Sequence, residues 1–142
     1  MTARIAGLVV GVGMLLVSAP VAAHHSFAAE FDGNKPITLK GTITRMLWSN
    51  PHGHLYVNVT DPKGKTVEWE VEFASPTSLY RRGWRKTDLP VGVAVTVQGF
   101  LAKDGTPTVN ANTVVLPDGR QLFAGSSGTG APGDPGTAQN SR

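Results

Sequence analysis

The chain has 142 residues, with 13 basic and 10 acidic side chains, a formal net charge of +3, four histidines and no cysteine. Without cysteine it can form no disulfide, no thiolate metal centre and no lipid attachment through sulfur. So small a positive excess is weak support for a polyanionic partner, and nucleic acid is not expected as one.

At the front, Arg4 precedes an uncharged apolar run from Ile5 to Ser18, and Ala19-Pro20-Val21-Ala22-Ala23 then supplies a helix break and small residues. That order is the pattern of an export signal. The run of about 14 apolar residues is shorter than the roughly 20 needed to span a bilayer core. We therefore expect a signal peptide over residues 1–23, no stable membrane anchor once it is cut, and a periplasmic or secreted mature protein. Val21 and Ala23 at the two positions that signal peptidase reads put the cut after Ala23, which makes His24 the new N-terminus and His25 its neighbour. Arg4 leaves with the signal, so the mature chain has a net charge of about +2.

In the mature chain, alternation with period two dominates, the mark of half-buried strands. Ile37, Leu39 and Ile43 share one phase while Met46 and Trp48 take the other, so a long first strand should contain a bulge after Gly41. Leu55, Val57 and Val59 alternate with His54, Tyr56 and Asn58 in a second strand. In a third, Val67, Trp69, Val71 and Phe73 alternate with Glu68, Glu70 and Glu72. Between them Asp61-Pro62-Lys63-Gly64 has the residues of a tight hairpin. Placing Val59 across from Val67 then pairs Val57 with Trp69 and Leu55 with Val71 inside, and Asn58 with Glu68, Tyr56 with Glu70 and His54 with Glu72 outside. Trp69 should be a core anchor.

Ser75-Pro76 reads as an N-cap and a first-turn proline, opening a short helix from Thr77 to Arg82 that Gly83 closes. Val91, Val93, Val95 and Val97 suggest a fourth strand with a phase change at Gly99. Val109 to Leu116 make a fifth, and Arg120 to Phe123 a short sixth. From residue 124 the chain is rich in Gly, Ser and Pro, which points to a disordered tail over 124–142. One domain over 24–123 remains. Three strands, one short helix and further strands are the order of an all-β, five- to six-stranded OB-like barrel, whose ligand face is formed by strands two and three.

The histidines fall in two groups, His24 with His25 and His52 with His54. Imidazole is the commonest metal ligand. On one strand, His52 and His54 would project to the same side, with Glu72 nearby to complete or orient a site. A terminal His24 adds a free amine to its imidazole, a nitrogen donor set that favours Cu(II). A candidate metal site therefore comprises His24, His25, His52, His54 and Glu72. Arg81, Arg82, Arg85 and Lys86 form the one basic cluster and are candidates for contact with an anion, or for favourable charge at a helix C-terminus. The chain has no Gly-rich phosphate loop, GxSxG elbow or HExxH motif, and no catalytic residue or enzymatic activity is assigned.

His24-His25-Ser26-Phe27-Ala28-Ala29-Glu30-Phe31-Asp32, Lys35-Pro36-Ile37-Thr38-Leu39-Lys40-Gly41, Asn50-Pro51-His52, Ser75-Pro76, Arg81-Arg82-Gly83-Trp84 and Leu116-Pro117-Asp118-Gly119-Arg120 through Gly125 closely resemble the exported bacterial proteins grouped as DUF6152, over His24 to about Ser127. The resemblance implies export and a shared small fold but lends no activity. Within it His24, His25, His52 and Glu72 fall on the family pattern and His54 does not, which shifts weight to His52 with Glu72. Three functions compete: a periplasmic Cu(II) binder; a metal-free module for an oligosaccharide, peptide or partner protein; and a small copper enzyme, for which the sequence offers no substrate groove.

Overall fold

The computed structural model describes residues 27–125. The expected signal peptide, His24, His25 and the chain beyond Gly125 lie outside the described residues.

The structure is mostly β. A short helix α1 (Phe27–Glu30) leads directly into β1 (Phe31–Leu47), followed by β2 (Gly53–Thr60), β3 (Thr66–Phe73), helix α2 (Pro76–Arg81), a 3-10 turn (Lys86–Asp88), β4 (Ala94–Ala102), β5 (Thr108–Val115) and β6 (Gln121–Phe123). The sheet order is β3-β2-β1-β4-β5-β6, and β3 also pairs with β5. That last pairing is parallel, the others antiparallel. Strands β1 to β5 are thereby joined in an unbroken circuit of backbone hydrogen bonds, which leaves little unpaired strand edge.

The β2–β3 hairpin has the register that alternation dictates, Val59 opposite Val67, Val57 opposite Trp69, Tyr56 opposite Glu70 and His54 opposite Glu72. Asp61 organises its turn, accepting backbone N–H bonds from Lys63 and Lys65 at 2.8 and 2.9 Å, while Gly64 takes the positive φ of 84°. In β1 the expected bulge falls between Ile43 and Arg45. It lies where β1 turns from pairing with β4 to pairing with β2. Gly41 permits the close approach there, since a Cβ at this position would stand 2.3 Å from the Asn58 carbonyl oxygen. Gly99 permits the same approach to β5, 2.2 Å from the Asn110 oxygen; the phase change expected at Gly99 does not occur, since the register shift there puts the extra residue, Asn112, on β5 and β4 keeps its alternation.

The inward phases of the five strands supply Leu39, Ile43, Leu55, Val57, Val71, Val97, Val109 and Val114 to one core. Helix α2 covers one end of it with Leu79, capped by Ser75 Oγ, which accepts the Ser78 N–H at 3.3 Å. The expected tryptophan anchor is displaced. Trp69 faces inward but is only half-buried, because Val67 and Trp69 lie toward the open tip of the hairpin. Trp84 takes that role instead: it is 1% exposed, stacks on Phe73 with centroids 6.0 Å apart, and donates its indole N–H to the Phe123 carbonyl at 3.0 Å.

Two further expectations need correction. Val91 and Val93 precede β4, where Gly92 at φ 89° turns the chain, and Val91 is exposed. The domain also continues past Phe123: Ala124 is buried, donates to Asn112 O at 2.7 Å and accepts from Ala74 N at 2.9 Å.

Candidate functional site

Residues paired across strands point to the same face. The register therefore sets one row along the outer surface: Leu47 of β1, His54 of β2, Glu72 of β3, Asn110 of β5 and Phe100 of β4. At the Phe100 end, α1 docks. Phe27 stacks against Phe31 at 5.8 Å and meets Phe100 edge-on at 5.5 Å, making a second small apolar cluster outside the main core. Lys103 fastens the same helix, its ammonium donating to the Ala28 carbonyl and its backbone N–H to Glu30 O at 2.8 Å.

At the middle of the row is a histidine–carboxylate pair. His52 lies in the β1–β2 loop, one residue before β2 rather than on the strand, and its Nδ1 is 2.6 Å from Glu72 Oε1. Both side chains are mostly enclosed, at 22% and 13% exposure. The buried Asn110 donates to the same carboxylate oxygen at 3.3 Å. The hydrogen bond to Glu72 raises the His52 pKa above its ordinary value; burial opposes this, and the charges of Glu72 and Glu30 reinforce it. Helix α1, which Glu30 ends, docks on Phe100, the register partner of the Asn110 that bonds Glu72, so the described chain begins near this pair. With Nδ1–H given to Glu72, Nε2 is the nitrogen left for a metal or a proton, the arrangement in which a carboxylate orients a ligating histidine.

His54 behaves differently. Its Cα lies opposite Glu72, but its Nδ1 is 2.9 Å from Glu70 Oε1, the oxygen that also accepts the Tyr56 hydroxyl at 3.1 Å. The approach to Glu70 is close but misdirected, so this buried nitrogen has no well-formed hydrogen bond. Burial, then the Glu70 charge, pushes the Tyr56 phenol above its usual pKa, and the Arg45 guanidinium lies over the Tyr56 ring at 3.8 Å. The two imidazoles are thus divided between two carboxylates. Among the described residues, no group of three His, Asp or Glu side chains is placed to hold a metal ion.

The basic cluster also divides. Arg82 is tied into the fold, donating to the Gly125 carbonyl and lying over the Phe123 ring at 4.8 Å. Arg85 donates to the Trp84 carbonyl at 2.7 Å and lies over the Tyr80 ring at 4.1 Å. Arg81 and Lys86 are exposed. Sequence reasoning missed Asn110 and Glu30, which approach His52 and Glu72 only through the β3–β5 pairing and the docking of α1.

Residues 12–111 match the family described as a family of unknown function, DUF6152. The chain belongs to DUF6152. The match begins inside the apolar run of residues 5–18 and ends in β5, so it takes in Glu30, His52, Glu72 and Asn110 but stops short of the segment from Leu116 to Gly125. No curated protein and no solved structure matches this DUF6152 chain.

Proposed function

We propose that this DUF6152 protein is exported to the periplasm, adopts an OB-like barrel, and binds one Cu(II) ion through the amine and imidazole of His24 together with His52. Glu72 orients His52, while His25 and His54 contribute less. The observation that supports this reading is the enclosed His52–Glu72 pair at 2.6 Å, steadied by Asn110, beside the helix that begins at Phe27. His24 stands three positions before Phe27, a reach of about 10 Å in extended chain. The strand circuit supports the barrel, since a β3–β5 parallel pairing is what closes five strands in this order.

Titration calorimetry with Cu(II) tests the reading on the processed protein, on a form with one residue added before His24, and on His52→Ala and His54→Ala. Extension and His52→Ala should each weaken binding sharply, and His54→Ala should do so less. Affinity should fall with pH as protons compete for the amine and imidazoles. A processed protein that binds no tighter than micromolar, or an extended one that binds equally well, would favour a metal-free module for an oligosaccharide, peptide or protein. That second reading draws support from the exposed aromatic and basic surface on α2.

A further inference from the structure

The β1–β2 loop meets α2 in a shallow open depression of about 320 Å³, lined by Trp48, Pro76, Thr77, Tyr80 and Arg81. Neither residue of the His52–Glu72 pair lines it. Trp48 is half-buried, held at its inner side by Phe73 with centroids 6.2 Å apart. Tyr80 is 60% exposed, unusual for a large ring, and the Arg85 guanidinium at 4.1 Å covers one of its faces. Arg81 is exposed, and its side chain makes no hydrogen bond or ion pair among the described residues. The nearest acid in the sequence, Asp88, is already engaged by the Arg85 N–H at 2.6 Å and by Arg120 at 3.3 Å, so it does not neutralise Arg81.

We propose that this depression binds an acidic sugar unit of a polysaccharide, with Trp48 and Tyr80 presenting ring faces to the sugar and Arg81 taking its carboxylate. The chemistry fits on three counts. Tyr and Trp offer rigid amphipathic surface at low cost in conformational freedom, suited to a ligand with one apolar face and many hydroxyls. A free guanidinium matches a carboxylate with two parallel hydrogen bonds. The exposed Thr77 adds a hydroxyl, and the openness suits a unit within a chain that passes across the surface. The positive charge of Arg81, Arg85 and Lys86 favours an acidic sugar over a neutral one. Such a site belongs to the metal-free reading and does not depend on copper.

The test is calorimetry on the full mature chain in EDTA, with trigalacturonate, maltotriose and triglutamate as probes. Trigalacturonate should bind at least about tenfold more tightly than maltotriose, the worth of one charge-assisted contact. Arg81→Gln and Tyr80→Ala should each lose about tenfold, while Lys63→Gln on the hairpin turn changes nothing. Both tested side chains are exposed, so unchanged thermal melts should accompany the losses. The proposal is overturned if trigalacturonate does not bind at millimolar concentration. It also fails if triglutamate binds as well, which would point to an acidic peptide, or if Tyr80→Ala leaves a purely salt-sensitive affinity intact. Because copper is chelated throughout, the outcome is separate from that of the copper titration.

Discussion

Trp84→Ala is the core substitution that should cost this domain most. The indole is 1% exposed, stacks on Phe73 at 6.0 Å and satisfies the Phe123 carbonyl at 3.0 Å. Removing a large buried aromatic costs about 3–5 kcal/mol. Leaving the Phe123 carbonyl without its donor adds roughly 1 kcal/mol. Domains of this size have only about 5–15 kcal/mol in total, so the variant should be marginal or unfolded at room temperature. Trp84→Phe retains the ring contact and loses the hydrogen bond, so it should cost about 1–3 kcal/mol. Trp69→Ala, at a half-buried position, should cost about half as much as a fully buried aromatic, roughly 1.5–2.5 kcal/mol. Urea denaturation followed by far-ultraviolet circular dichroism is the assay, with a slope of about 1–3 kcal/mol per molar converting these costs into midpoints. A Trp69→Ala midpoint as low as that of Trp84→Ala would refute this ranking, for then the burial of the two rings would be misassigned.

Gly41→Ala should lose about 1–3 kcal/mol in thermal melts, because its Cβ would stand 2.3 Å from the backbone oxygen of Asn58 and the strands must part. The His52 pKa is raised in the folded protein, chiefly by Glu72, so in metal-free protein the pair's contribution is fully present below about pH 6.5 and lost as pH rises through the higher folded value. Glu72→Gln should flatten that pH dependence of the melting temperature and bring the His52 titration, followed by NMR, back toward the ordinary value. Deleting residues 128–142 should leave the melting temperature within about 1 °C, whereas deleting from Ala124 onward should lower it by several degrees, since Ala124 bonds to both Ala74 and Asn112.

Local order was legible in the sequence and long-range order was not. The β2–β3 hairpin follows from period-two alternation joined to an Asp-Pro-Lys-Gly turn, two signals that fix one register between them. The helix start at Ser75-Pro76 and the bulge after Gly41 are equally local. Alternation assigns a face but not a depth, which is why Trp84 rather than Trp69 is the anchor. The β3–β5 pairing joins strands distant in sequence, and only that pairing brings Asn110 to Glu72. Phe100 faces outward by plain alternation with Val95, Val97 and Leu101, and nothing local shows that Phe27 and Phe31 will cover it. His52 was expected to share a strand face with His54; ending the loop one residue later gives each imidazole a different carboxylate. The proposed copper chelate would draw its remaining ligands from His24, outside the described residues.

Electron paramagnetic resonance of the processed protein with one equivalent of Cu(II), compared with His52→Ala, tests the copper site most directly. The parent should give an axial spectrum with superhyperfine coupling to three nitrogens, the His24 amine, the His24 imidazole and the His52 imidazole, and His52→Ala should lose one of them. A spectrum that His52→Ala leaves unchanged would contradict the proposed site, because the His52–Glu72 pair would then take no part in holding the metal.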